Sequence, residues 1–129
     1  MGGLAQILVE EGHKVSGTDD VFYPPMSDIL KELNIETSSS YDISSFPNAD
    51  LYVIGNSLSR GNIFVEHILQ NNLPFSSGPE MLGTVLKNKK VIAVAGTHGK
   101  TTTAYMIAHI LRSNSIDAGF LIGGACNNF

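Results

Sequence analysis

The sequence predicts an α/β chain made of two successive units, each built on parallel strands with crossover helices. Two observations lead there. Short apolar runs alternate with segments of helical periodicity along most of the chain. That alternation implies parallel sheets with helices packed on both faces. A strongly apolar run at residues 91–95 is then followed by a Gly-containing turn and a further helical pattern. That run opens the second unit, so residues 1–88 and 89–129 are expected to be separate domains.

The elements follow in order. Leu4, Ala5, Ile7 and Leu8 share one helical face, and Gly12 follows as a C-terminal stop. Residues 14–19 read as a strand ending in Asp19. Pro24 and Pro25 break the chain, and Ile29, Leu30 and Leu33 mark a short helix. Residues 51–54 form a buried-type strand closed by Gly55 and Asn56. Phe64, Val65, Ile68 and Leu69 give another helical face, and residues 74–77 a short, weak strand. Gly78-Pro-Glu80 reads as a helix start, with proline at the first helical position and an acid in the first turn. That helix is expected to run to about Lys87. In the second unit, residues 91–95 are the strand, residues 96–100 the turn and residues 101–113 the helix. Ala104, Ile107, Ala108 and Leu111 make its apolar face. Residues 120–122 are the next strand, ended by Gly123 and Gly124. Met81 and Met106 read as core.

Composition excludes several classes. Of 129 residues, 43% are hydrophobic and 16% charged, which is too apolar for a disordered chain. The formal net charge of −4 and the lack of a basic cluster beyond Lys87, Lys89 and Lys90 argue against a nucleic-acid binder. The single cysteine, Cys126, allows no internal disulfide. No apolar run approaches the roughly 18 residues of a membrane span. His13, His67 and His109 form no metal-ligand spacing with a partner.

Both ends read as cut. A doubly wound domain normally opens with an apolar strand whose turn into the first helix binds phosphate. Here the chain begins in that helix, with Met1-Gly2-Gly3 as the remainder of the turn. The second unit stops after two expected strands and one helix. The expectation is a fragment; the alternative is a genuine small protein with an unusual start.

The sharpest signal is the run Val91-Ile-Ala-Val-Ala-Gly-Thr-His-Gly-Lys-Thr-Thr-Thr103. It has the strand, tight turn and helix that a phosphate loop requires. A helix N-terminus offers unpaired N–H groups and a partial positive charge. Gly96 and Gly99 let the backbone bend closely around phosphate oxygens, with Thr97 and His98 between them. Lys100 can reach the outer phosphates, the Thr101 hydroxyl can ligate Mg²⁺, and Thr102 continues the first turn. The run departs from the general G-x-x-x-x-G-K-[ST] pattern at Val94, where that pattern has glycine. The ordinary reading of His98 is a turn side chain bonded to backbone.

Gly96-Thr-His-Gly-Lys-Thr-Thr102 resembles the ATP loop of the Mur ligases, and the preceding unit is similar to their Rossmann-like UDP-sugar domain. The likeness covers essentially the whole chain. It implies an N-terminal UDP-sugar-binding domain lacking its first strand, followed by the start of a P-loop ATPase α/β domain. It also implies ATP-dependent amide-bond formation through an acyl phosphate in a bacterial cytoplasm, with ATP and Mg²⁺ required. The substrates implied are UDP-N-acetylmuramate and a peptide or amino acid. Tyr23-Pro-Pro-Met-Ser27, Ile54-Gly-Asn-Ser-Leu-Ser-Arg-Gly-Asn62 and Gly119-Phe-Leu-Ile-Gly-Gly124 resemble the branch that adds a tripeptide. The L-alanine-adding branch is the alternative, and a non-catalytic nucleotide-binding module is the rival of another class. Residues 125–129 depart from the Pro-Gly-Asn-Phe-like run usual in the family.

Within that resemblance, sugar-nucleotide candidates follow strand ends, where open parallel sheets bind ligands. Asp19 is an acid for a ribose or base, or else a turn or N-cap residue. Asn56, Ser57, Arg60 and Asn62 follow the strand at residues 51–54. Arg60 is a cation for a diphosphate or carboxylate, or else a solvated loop arginine. Tyr23 reads as an ordinary loop tyrosine. Among the ATP-loop residues, Lys100 is the expected catalytic group.

Overall fold

The computed structural model describes residues 1–123. The expectations that fall on Gly124, Cys126 and residues 125–129 lie outside the described residues. The chain divides into two compact units, Met1–Asn88 and Lys89–Phe129.

In the first unit, helix α1 (Gly2–Glu10) leads to strand β1 (Ser16–Thr18), helix α2 (Met26–Glu32) and strand β2 (Glu36–Ser38). A 3₁₀ turn at Ile43–Ser45 precedes β3 (Tyr52–Ile54), α3 (Ile63–Gln70), β4 (Phe75–Ser77) and α4 (Gly78–Val85). Strands β1 and β2 pair in parallel, with Ser16 opposite Glu36 and Thr18 opposite Ser38. Strands β3 and β4 also pair in parallel, with Tyr52 opposite Phe75 and Ile54 opposite Ser77. Parallel neighbours need a crossover, supplied here by α2 and α3.

The sequence reading expects one Rossmann-like sheet, and the structure instead carries two separate two-stranded sheets. No ladder joins β1–β2 to β3–β4 among the described residues. Helix packing joins the halves: α1 lies against both α2 and α4. Its buried face is Leu4 and Leu8, four apart and therefore stacked on one side. Leu30 and Ile35 extend that core around α2, and Phe64, Val65 and Ile68 form the buried face of α3. Each such side chain contributes about 1.5–3 kcal/mol by leaving water.

Local signals set the helix ends. The Asn62 side chain accepts from the Phe64 and Val65 backbone N–H groups at 3.0 and 3.2 Å, capping α3. A capping box opens α4, in which the Ser77 hydroxyl accepts from Glu80 N and the Glu80 carboxylate accepts from Ser77 N. Pro79 follows in the first turn, where its missing N–H costs nothing.

In the second unit, helix α5 (Lys100–Ser113) forms as its periodicity predicts, with Ala108 buried. The return segment folds onto it: Arg112 Nε donates to the Ala118 carbonyl at 2.9 Å, and the guanidinium lies 5.4 Å from the Phe120 ring centroid. Three expectations fail here. Neither residues 91–95 nor residues 120–122 form a strand. A strand exists through its ladder, and among the described residues neither segment joins one; Val91 and Ile92 are exposed. Met106, expected in the core, is 59% exposed. It lies off the Ala104–Ala108 face, so helical phase overrides its hydrophobicity. Met81 is half-buried.

Candidate functional site

In the first unit, the C-terminal ends of the parallel strands carry the polar residues. Asp19 directly follows β1 and is exposed, and its backbone N–H donates to Ser38 O at 3.1 Å, extending the ladder by one bond. One Asp19 carboxylate oxygen accepts from Asp20 N at 2.8 Å. Past β3 and β4 lies an open cleft of about 420 Å³, lined by Ile54, Gly55, Asn56, Leu58, Phe75, Ser76 and Ser77. Asn56 therefore lines the cleft, Ser57 is exposed beside it, and Asp19 stands at the other strand pair. Gly78, at the start of α4, lies against the Met1 side chain: a Cβ there would stand 2.9 Å from Met1 Sδ.

Arg60 and Asn62 have partners within the chain. Arg60 grips Glu66 with two nitrogens, Nε to Oε1 at 2.7 Å and a terminal nitrogen to Oε2 at 3.1 Å. Glu66 Oε1 also accepts from Gly61 N at 2.9 Å. Bidentate geometry makes this the strong form of ion pair, although Arg60 is exposed and Glu66 only half-buried. Hydrogen bonds from Arg60 and then from the Gly61 backbone pull the Glu66 carboxyl down to about 2. The same partner raises the Arg60 pKa. Together with the Asn62 cap, the clamp fixes the loop from Gly55 into α3, which carries Asn56 and Ser57.

The sequence reading missed Ser76 and Ser77 as cleft residues, and also Tyr41. The Ser76 hydroxyl is buried and donates to Glu80 Oε2 at 3.0 Å. Ser77-Gly-Pro-Glu80 is a capping pattern visible in the sequence, and its serine could have been assigned from it. Tyr41 had no local signal.

In the second unit, Gly99 caps α5 at φ 75°, a left-handed conformation that a side chain resists. Gly96 has φ 154°. No side chain caps the first turn of α5, so its leading N–H groups face outward around Lys100, Thr101 and Thr102. Lys100 Nζ folds back over the loop, donating to the carbonyls of Gly96 at 2.7 Å and Thr97 at 3.3 Å. Thr97, His98, Thr101 and Thr102 are exposed. This donor set fits a phosphate: first-turn amides with no side-chain cap, an ammonium held on the loop carbonyls beside them, and hydroxyls that can share a magnesium ion. Among the described residues, no group of three acidic, histidine or cysteine side chains is placed to hold a metal ion.

Parallel strand ends presenting polar side chains, followed by a glycine-bounded turn into a helix, put the chain in the α/β class with ligand edges at strand and helix termini. More specifically, it belongs to the Mur ligase family. Residues 1–90 match the Mur ligase family catalytic domain and residues 94–128 the Mur ligase middle domain. The chain is 49% identical to the UDP-N-acetylmuramate–L-alanyl-γ-D-glutamyl-meso-2,6-diaminoheptandioate ligase of Escherichia coli and 46% to that of Haemophilus influenzae, covering 100% of this chain. It spans about 29% of the length of each. The UDP-N-acetylmuramate–L-alanine ligase of Clostridium acetobutylicum is 38% identical over 96% of the chain. The crystal structure of the diaminopimelate-tripeptide ligase from Neisseria meningitides matches with a TM-score of 0.95 at 49% identity, over 100% of this chain and 41% of that one. No helix among the described residues is long and apolar enough to cross a membrane.

Proposed function

We propose that this chain forms part of an ATP-dependent ligase that joins the tripeptide L-Ala-γ-D-Glu-meso-diaminopimelate to UDP-N-acetylmuramate in peptidoglycan recycling. The observation that carries the reading is the likeness over the full chain to two ligases of that name, 49% and 46% against 38% for an alanine ligase. In this reading residues 1–88 bind the UDP-sugar and residues 89–129 begin the ATP-binding domain. The bacterial cytoplasm is the compartment it implies.

The roles follow from the chemistry. A carboxylate is a poor acylating agent and must gain a leaving group before an amine can displace it. When bound, ATP with Mg²⁺ supplies the phosphoryl group for that activation. Gly96, Thr97, His98 and Gly99 shape the loop, and the first-turn amides of Lys100, Thr101 and Thr102 receive phosphate oxygens. Lys100 offers charge where two anions must meet, and so is the catalytic residue of this segment. Thr101 offers an oxygen ligand to magnesium. Asp19 accepts from the ribose, while Asn56 and Ser57 meet the sugar nucleotide at the cleft. Arg60 and Asn62 serve by holding that loop, and Arg60 can turn a guanidinium edge toward the ligand.

The test uses the longest natural polypeptide that carries this chain, with ATP, Mg²⁺ and UDP-N-acetylmuramate. ADP release should be faster with the tripeptide than with L-alanine. Lys100→Ala should slow ligation about a hundredfold or more. A preference for L-alanine would move the chain to the alanine-adding branch, and release independent of any amine would leave a nucleotide-binding module.

A further inference from the structure

We propose that Tyr41 is a positioning residue for uridine-nucleotide recognition, acting through the Asp19 turn that it braces. The inference rests on the reading of residues 1–88 as the UDP-sugar unit. Tyr41 lies beyond β2, yet its hydroxyl donates to the carbonyl of Thr18, 23 residues earlier, at 3.3 Å. Thr18 ends β1, and the same peptide group carries the Asp19 N–H that bonds Ser38 O. The peptide unit before Asp19 is thus held from two sides, by the β2 ladder and by the Tyr41 phenol. With Asp20 N on one carboxylate oxygen, the direction of the other is set by the backbone that Tyr41 fixes.

The phenol is itself anchored. The Tyr41 ring packs edge-on against Phe64, with centroids 5.2 Å apart and planes at 77°. Phe64 is buried and packs edge-on against Phe46 at 5.0 Å, and Phe46 contacts both His67 and Tyr52. The Tyr52 hydroxyl in turn donates to Pro47 O at 2.9 Å and accepts from Ala49 N. This row of rings runs from β3 and α3 to the end of β1, across two strand pairs that share no ladder. Tyr41 therefore carries the geometry of the β3–α3 half to the acid of the β1–β2 half. The burial of its ring, and next the nearby Asp19 and Asp20 charges, raise the Tyr41 pKa, which favours the protonated phenol that donates to Thr18 O.

An acid at the carboxyl end of a parallel strand in a dinucleotide-type unit is placed to accept from a ribose 2′-hydroxyl. If Tyr41 acts through Asp19, removing its hydroxyl must weaken the ribose contact selectively. The probes are UDP and 2′-deoxyuridine diphosphate, titrated calorimetrically into the longest natural polypeptide that carries the chain. Tyr41→Phe keeps the ring and its packing. It is expected to lower UDP affinity about 3- to 10-fold, the range of one lost hydrogen bond, while leaving the deoxy probe almost unchanged. Asp19→Asn should give the same selective loss, and the double variant should lose no more than the larger single effect. Equal weakening for both probes would reduce Tyr41 to a structural brace and overturn the proposal, as would UDP binding by Tyr41→Phe at wild-type affinity. Failure of the unaltered protein to bind UDP would overturn the nucleotide reading and this role with it.

Discussion

Replacing Phe64 with alanine should cost the first unit about 3–5 kcal/mol. The side chain is 7% exposed and meets two rings edge-on, at 5.2 Å and 5.0 Å. Truncation removes its apolar burial and leaves a cavity between α3 and the 41–46 loop. Phe64→Leu separates the terms. It keeps most of the buried volume but loses both aromatic pairs, each worth about 0.5–1.5 kcal/mol beyond area, for a loss of roughly 1–3 kcal/mol. Urea unfolding followed by circular dichroism reads both. With a slope near 1.5 kcal/mol per molar, the alanine midpoint should fall by about 2–3 M. Phe46→Leu combined with Phe64→Leu should be non-additive by about the value of one pair. A midpoint shift for Phe64→Ala below about 0.5 M, with the slope unchanged, would refute the reasoning that this ring row is packed as described.

Other consequences can be checked separately. The Glu66 carboxyl is held at about 2, against an ordinary value of 4.5. A depressed acid stabilises the fold above its unfolded pKa and loses that contribution as pH falls through its folded value. The clamp should thus be intact above about pH 4.5 and dissolve toward pH 2, and Glu66 side-chain NMR shifts should report that midpoint. Arg60→Ala should return the midpoint toward 4.5; a wild-type midpoint already there would mean the ion pair does not form in solution. Ser77→Ala should cost about 1 kcal/mol in the same urea assay, because Glu80 N loses its acceptor at 3.2 Å, and Ser77→Gly only a few tenths.

Much of this was legible in the residues. The helices announce themselves by local signals. Leu4 and Leu8 repeat at four, Pro79 and Glu80 mark the start of α4, and the 104–111 face predicts α5. Helix hydrogen bonds close within four residues, so the information that forms them is local. Strand β2 was not legible: Glu36-Thr-Ser38 has no apolar alternation, and it is a strand because β1 lies beside it. The converse error occurs at residues 91–95, which have every strand preference and no ladder among the described residues.

The site divides in the same way. By itself the sequence determined the glycine-bounded turn into α5, since its glycines act at fixed spacing beside the helix start, and it put Asp19, Asn56 and Ser57 after strand ends. Only the tertiary structure decided that Arg60 spends its guanidinium on Glu66 and that Tyr41 reaches Thr18. The Thr18–Tyr41 contact spans 23 residues. Its energy depends on where β1, β2 and α3 come to rest together, and no short-range pattern of residues encodes that meeting.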